Sequence, residues 1–395
     1  MATKIRRRDR QGAVSDGVFD VAGNSITLLA EGPERLTALL DLIAGARSSL
    51  RLLYYIYRDD DVGRQVLQAL VDALGRGVSV ALIVDGFGSD ATEAFFRPLE
   101  QAGANICRFL PRFGRRYLLR NHQKLALADE RRVIVGGFNV EKDYFGLVSD
   151  HAWRDLGLIV EGPAAARLAS YFDALSDWVH RPRARLRDLR YVLKAHSERE
   201  GAVRWLFGGP TRWLSPWALA VKQDLARAMR LDMVVAYFAP NPAMLRRIER
   251  IARRDGEARL LTAAQSDNGA TIAAARHTYH RLLKRGVRIF EYLPTKLHTK
   301  LFVIDDRVHV GSANFDVRSL YLNLELMLCV EDPAFARRMR DYVEGELARS
   351  VEITRESHRR ASNLIARIKW AIAYFIVAVL DGNITRRLNF EAEGR

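Results

Sequence analysis

Apolar and polar positions along this chain fall into blocks that occur twice. In the first half, Leu52 to Tyr57 is an apolar and aromatic run of the kind that forms a buried strand. Val66, Leu67, Leu70, Val71 and Leu74 follow at helical spacing, and Gly75 and Gly77 end that helix. Val78 to Val84 predicts a second strand, stopping at Asp85 and Gly86. The second half repeats the plan with a strand over Met233 to Phe238, a helix over Ala243 to Ile251 and a short strand over Arg259 to Leu261. A helix over Ala270 to Lys284 and a strand over Val287 to Tyr292 complete it. Alternating strands and helices predict an α/β protein of two similar halves, each a mixed, mostly parallel sheet flanked by helices. The charged stretch Arg181 to Glu200 reads as the linker between them. The expected organisation is a basic tail (1–24), a first half (25–195), a second half (203–350) and a C-terminal tail (351–395).

The repeat is sharpest where polar residues interrupt the strands. His122-Gln123-Lys124 is followed after four residues by Asp129 and then by Gly136-Gly137-Phe138-Asn139. His298-Thr299-Lys300 is followed after four residues by Asp305 and then by Gly311-Ser312-Ala313-Asn314. On an extended chain, residues two apart share a face, so each His and Lys point together while Gln123 and Thr299 point away. The segment from Asp305 to Gly311 is one residue shorter than that from Asp129 to Gly136, which predicts a tighter second turn.

Two such motifs suit phosphoryl chemistry. One neutral imidazole attacks phosphorus to give a phosphohistidine, and the other donates a proton to the leaving oxygen and later accepts one from the incoming group. Lys124, Lys300, Asn139 and Asn314 are placed to hold the phosphate oxygens. Asp155 and Glu325 each follow a small-residue turn and open an apolar strand, so they are candidates to orient a histidine. The other seven histidines lack this context. No cluster of metal ligands is apparent, and the chemistry calls for no metal or other cofactor.

These residues resemble the signature of the phospholipase D superfamily, a twin His-x-Lys-x4-Asp motif with Gly-Gly/Ser-x-Asn behind each copy. Arg120 to Val140, Trp153 to Pro163 and Leu297 to Leu328 are similar to the bacterial cardiolipin synthases, and the likeness spans roughly Ser25 to Ser350. The resemblance implies two α/β halves packed about a pseudo-twofold axis with both motifs at the seam. It implies His122 as the nucleophile and His298 as the acid, with Asp129 and Asp305, grouped with the catalytic residues by the motif, contributing mainly to structure and charge balance. Gly137 stands where the second copy has Ser312. The N-terminal membrane helices of longer cardiolipin synthases are not seen here.

Charge and tails bear on the partner. Lys and Arg number 62 against 47 acidic residues, a formal net charge of +15, which favours anionic partners without separating nucleic acid from membrane. The N-terminus is basic but has no apolar signal-peptide core, and Cys107 and Cys329 provide no disulfide framework. Trp370 to Leu380 is apolar but about half the roughly 20 residues a spanning helix needs. It reads as an interfacial helix in an anionic leaflet or as a terminal core helix. Tyr54, Tyr55 and Tyr57 read as core or as a cleft lining, and Arg112, Arg115, Arg116 and Arg120 as a headgroup contact or a solvated loop.

The expected function is phosphatidyl transfer that makes cardiolipin from phosphatidylglycerol, peripheral on the cytoplasmic side of the inner membrane. Hydrolysis to phosphatidic acid is one alternative, a nuclease using the same site another, and a non-catalytic membrane scaffold a distant fourth. The C-terminal apolar run disfavours nucleic acid, and no obligate protein partner is evident.

Overall fold

The computed structural model describes residues 17–110, 119–211 and 214–380. Most of the N-terminal tail, Arg112, Arg115 and Arg116, and the end of the C-terminal tail lie outside these residues. The first half contains strands β1 (Val18–Val21), β2 (Asn24–Leu29), β3 (Ser49–Tyr54), β4 (Ser79–Asp85), β5 (Asn105–Phe109), β6 (Leu125–Ala128), β7 (Arg132–Gly136) and β8 (Gly157–Glu161). Helices α1 (Gly32–Gly45), α2 (Asp61–Gly75), α3 (Glu93–Gln101), α4 (Pro163–His180) and α5 (Leu186–His196) accompany them. The second half has β9 (Val203–Gly208), β10 (Arg230–Val235), β11 (Phe238–Ala239), β12 (Glu257–Ala263), β13 (Arg288–Tyr292), β14 (Lys300–Ile304), β15 (Arg307–Gly311), β16 (Phe315–Asp316), β17 (Glu325–Glu331) and β18 (Ser350–Ile353). Its helices are α6 (Pro216–Arg227), α7 (Pro242–Arg253), α8 (Gly269–Lys284), α9 (Val317–Tyr321), α10 (Pro333–Leu347), α11 (Arg355–Ala361) and α12 (Leu364–Tyr374).

Each half builds an eight-stranded mixed sheet, ordered β1-β2-β8-β7-β6-β3-β4-β5 and β18-β13-β12-β10-β14-β15-β17-β9. The expectation that parallel pairs dominate is corrected. Only β3–β4 and β4–β5 in the first sheet, and β10–β12 and β12–β13 in the second, run parallel. Those strands are joined by crossover helices, which parallel pairing requires. The motif strands instead form tight hairpins, β6–β7 and β14–β15, and a hairpin is antiparallel by construction. The tighter second turn is seen: Ala128 pairs with Arg132 across three residues, Ile304 with Arg307 across two.

Alternation along the strands builds separate cores on the two faces of each sheet. Leu52, Leu82, Ala126 and Ile134 face α1, α2 and α3, while Leu53, Ile83, Leu125, Leu127 and Val133 face a layer containing α4 and α10. Val234, Leu301 and Val303 of the second sheet enter that same layer, and Leu231, Met233 and Phe302 pack outward against α6, α7 and α8. The two halves thus share one continuous core. Arg181 to Glu200 is a second correction: the stretch contains α5, because Leu189 and Leu193 are four apart and fully buried.

Polar ties also cross between halves. Arg154, 4% exposed, pairs with Glu346 at 2.5 Å and Glu31 at 2.6 Å and bonds the Ala30 carbonyl. Removing one partner of a buried pair strands the other's charge, at a cost of about 3–5 kcal/mol. Arg154→Ala is therefore expected to lower unfolding stability by about that amount in urea titration. A loss under about 1 kcal/mol would show that the tie contributes little.

Candidate active site

Both motifs meet on the seam, and the backbone holds them there reciprocally. The His122 N–H donates to the Leu324 carbonyl at 2.9 Å, and the His298 N–H to the Arg154 carbonyl at 2.7 Å. In return Leu324 N–H donates to Arg120 and Arg154 N–H to Lys296. Each histidine is thereby strapped to the residue that immediately precedes the other half's candidate acid. This matched exchange follows the pseudo-twofold arrangement.

The side chains repeat the exchange. His122 Nδ1 lies 3.1 Å from Glu325 Oε2, and His298 Nδ1 lies 2.7 Å from Asp155 Oδ2. Both carboxylates are fully buried. A carboxylate only accepts, so each Nδ1 carries the proton and each Nε2 lone pair is left for chemistry. Glu325 also accepts from the hydroxyls of Ser312 at 2.5 Å and Ser319 at 2.8 Å. Asp155 is one methylene shorter and, among the described residues, accepts from Leu156 N–H and His298 but from no serine. A Cβ at Gly137 would sit 2.6 Å from Asp155 Oδ1, so glycine there makes room for the acid.

Lys124 and Lys300 are nearly fully buried and each donates to the carbonyl of its own histidine, at 2.6 and 2.5 Å. Burial, only partly opposed by Glu325 and Asp155, brings Lys124 down to about 7 and Lys300 down to about 8. Burial and the neighbouring Lys300 outweigh Asp155 to hold His298 down at about 4. His122 is also lowered, by burial and then by Lys124, with Lys300 adding to the effect. Each lysine thus acts on the histidine of the other half, and the four groups share one electrostatic site.

The two asparagines behave differently. Asn139 Oδ1 accepts from Ile56 N–H at 3.1 Å and its amide donates to the Tyr144 hydroxyl. Asn314 Oδ1 is buried and has no partner among the described residues. Asp129 and Asp305 need a correction as catalytic residues. Asp129 accepts from the N–H groups of Arg47, Ser48 and Ser49, Asp305 from those of Met229 and Arg230, and both sit at positive φ. Asp129 is seven residues beyond His122, about 20 Å along an extended chain. Although its slight burial acts the other way, the backbone donors and the Ser48 hydroxyl bring it to about 2. These aspartates close the motif hairpins at the end of the sheet away from the histidines.

Sequence reasoning missed several residues of the site. Arg35, 1% exposed, donates to the carbonyls of Tyr144, Ala30 and Asp155 beneath the site. Asp85, which ends β4, accepts from Asn121 N–H at 2.7 Å and so fixes the chain just before His122. Of the three tyrosines, Tyr54 and Tyr57 are core, whereas Tyr55 packs 5.0 Å from the His122 ring with Lys124 above it. Tyr144 and Trp153 enclose His298 at 5.1 and 5.5 Å. The Asp-Gly stop at Asp85 was visible as a strand end; nothing local marked Arg35.

Known proteins resemble this chain. A family model described as "Cardiolipin synthase, PLD-like domain" matches residues 39–176 and 221–346. Cardiolipin synthase A of Pseudomonas fluorescens strain Pf-5 is 31% identical over 354 residues, covering 87% of this chain and 73% of the relative. A cardiolipin synthase of Listeria welshimeri is 28% identical, covering 93% and 78%. Among solved structures, phosphatidylserine synthase of Haemophilus influenzae superposes with a TM-score of 0.67 at 13% identity, covering 89% of this chain and 92% of that one. Polyphosphate kinase of Porphyromonas gingivalis gives 0.55 at 16% identity, covering 82% and 50%. Those two likenesses speak for the fold alone. With its duplicated halves and paired motifs, the chain belongs to the phospholipase D superfamily, within the PLD-like domain family of cardiolipin synthases.

Proposed function

We propose that this protein is a phosphatidyltransferase that makes cardiolipin and glycerol from two molecules of phosphatidylglycerol. The observation that carries the reading is the pair of Nδ1-anchored histidines, each braced by the other half's carboxylate. In the first step His122 Nε2 attacks phosphorus, the bond from phosphorus to the glycerol oxygen breaks, and His298 gives that oxygen its proton. The phosphatidyl group is then carried on His122. In the second step a glycerol hydroxyl of another phosphatidylglycerol loses its proton to His298 and attacks phosphorus, freeing His122.

His298 is held neutral in the free site, so it must gain its proton as substrate arrives. Burial holds the imidazole down first and the lysine charge second, and the phosphodiester anion favours the protonated form by offsetting that lysine charge. Water in place of the second hydroxyl would give phosphatidic acid, so transfer requires that the alcohol reach the phosphohistidine first. The names of the sequence relatives and the apolar C-terminal helix support a lipid substrate over nucleic acid.

The test is to incubate purified protein with detergent-solubilised phosphatidylglycerol and a divalent-metal chelator and to identify the products by mass spectrometry. Cardiolipin and glycerol are expected. Phosphatidic acid alone would replace transfer with hydrolysis, and DNA cleavage without lipid turnover would overturn the lipid reading. The same assay has a pH signature. Lys124 and Lys300 lose their protons as pH rises through about 7 and about 8, which weakens the site's hold on the anionic phosphate. KM is therefore expected to rise between pH 7 and 9, and a KM independent of pH would reject the two lysines as phosphate holders.

Membrane association is part of the same proposal, with the protein peripheral on the cytoplasmic side. No single helix among the described residues is long and apolar enough to cross a membrane. Helix α12 docks on the body through Trp370 and Ala373 and leaves Leu364, Ile365, Ile368 and Ile372 more than half exposed. That outward apolar face suits an interfacial helix.

A further inference from the structure

Helices α8, α11 and α12 enclose a cleft of about 840 Å³. Its walls carry five cations, Arg276, Lys284, Arg355, Arg359 and Arg367, together with three histidines and no carboxylate. Two of the cations are engaged: Arg276 with Glu291 at 2.8 Å, and Arg355 with the carbonyls of Leu283 and Lys284 that end α8. Lys284, Arg359 and Arg367 have no ion pair among the described residues. Trp370 forms part of the lining and stacks on His358 at 5.3 Å. Leu364 and Ile368 belong both to this lining and to the exposed apolar ridge of α12. Among the described residues, cations without an ion pair and an exposed apolar ridge therefore adjoin on one surface.

We infer that this cleft is a second phospholipid site, separate from the catalytic centre. It takes the phosphate of an anionic glycerophospholipid headgroup, with the acyl chains lying along the α12 ridge in the bilayer. The ligand class follows from charge complementarity and from the adjacency of the two surfaces. A nucleic acid would satisfy the cations and leave the ridge in water, whereas an anionic lipid satisfies both at once. None of the motif residues lines the cleft, so occupancy there does not block the histidines. The inference goes beyond the proposed transfer reaction and does not depend on it.

The test uses the full chain and vesicles of phosphatidylglycerol in phosphatidylcholine, read by cosedimentation. R359E/R367E changes two exposed residues. It is expected to weaken vesicle binding by at least roughly thirtyfold, about fivefold for each cation removed from an anionic surface, with the two added carboxylates repelled by that surface as well. R97E/R183E makes the same charge change on exposed positions of the first half and is expected to weaken binding less than threefold, a small share of that same electrostatic attraction. Equal losses in both variants would mean that bulk charge alone draws the protein to membranes and would overturn the site. Monomeric dihexanoyl phosphatidylglycerol should shift the ring resonances of His280 and His358 in the parent protein but not in R359E/R367E; unshifted resonances in the parent would also overturn it. Turnover of that soluble lipid should survive in R359E/R367E, and its loss would show that the cleft belongs to the catalytic centre. If the parent protein turned over no lipid at all, the transfer reading would fail while the vesicle comparison still decided the cleft.

Discussion

His122→Ala is expected to abolish the covalent lipid–protein intermediate and to lower turnover by roughly four orders of magnitude or more, as for other covalent nucleophiles. The intermediate is read by trapping labelled phospholipid on the protein and keeping the gel free of acid. The variant should stay folded, because Glu325 keeps its bonds from Ser312 and Ser319 when the imidazole is gone. His298→Asn should behave differently, slowing both formation and decay of the adduct, since one group serves as acid in the first step and base in the second. An adduct that still formed at the parent rate in His122→Ala would reverse the two roles. Near-parent turnover in either variant would remove that histidine from the chemistry.

Glu325→Gln carries the second large effect. The substitution keeps the volume and hydrogen-bonding reach of the side chain but removes the charge facing His122 Nδ1–H. Loss of an orienting carboxylate lets imidazole adopt the wrong tautomer, at a cost of roughly 10⁴ in kcat in a comparable triad. A fall of about two to four orders of magnitude is expected here, and KM should rise as well, because Lys124 loses the charge that opposes its burial. The pH profile supplies a readout that mere loss of structure would not move. Glu325 opposes the burial that lowers His122, so neutralising it should shift the His122 limb of the kcat profile further toward acid. Equal kcat in Glu325→Gln and the parent would reduce the carboxylate to a packing role.

Much of this site can be read from residue order, because a His and a Lys two apart and a small-residue turn are local features. The strands around each motif, the tighter second hairpin and the acids at Asp155 and Glu325 all follow from short-range pattern. What does not follow is partnership across the seam. Whether His122 uses Asp155 or Glu325 depends on how two sheets dock, and no spacing within one half encodes it. The sheet direction misled for a related reason: the crossover helices are conspicuous in sequence, while five of the seven neighbouring pairs in each sheet come from hairpins and long-range returns that leave no periodic trace. Charge disguised α5, since its two buried leucines are few among arginines and lysines. Arg35 was hidden because its acceptors are backbone carbonyls, which any residue supplies.

The exchanged carboxylates have a consequence for when the protein becomes reactive. A half-chain emerging from the ribosome carries an imidazole whose tautomer nothing yet dictates, and so no competent nucleophile. Readiness arrives only at the moment of docking, when each side delivers the acid that the other lacks. A misassembled molecule is therefore expected to be silent rather than wayward, without a lipid stranded on a histidine that has no base beside it to release it.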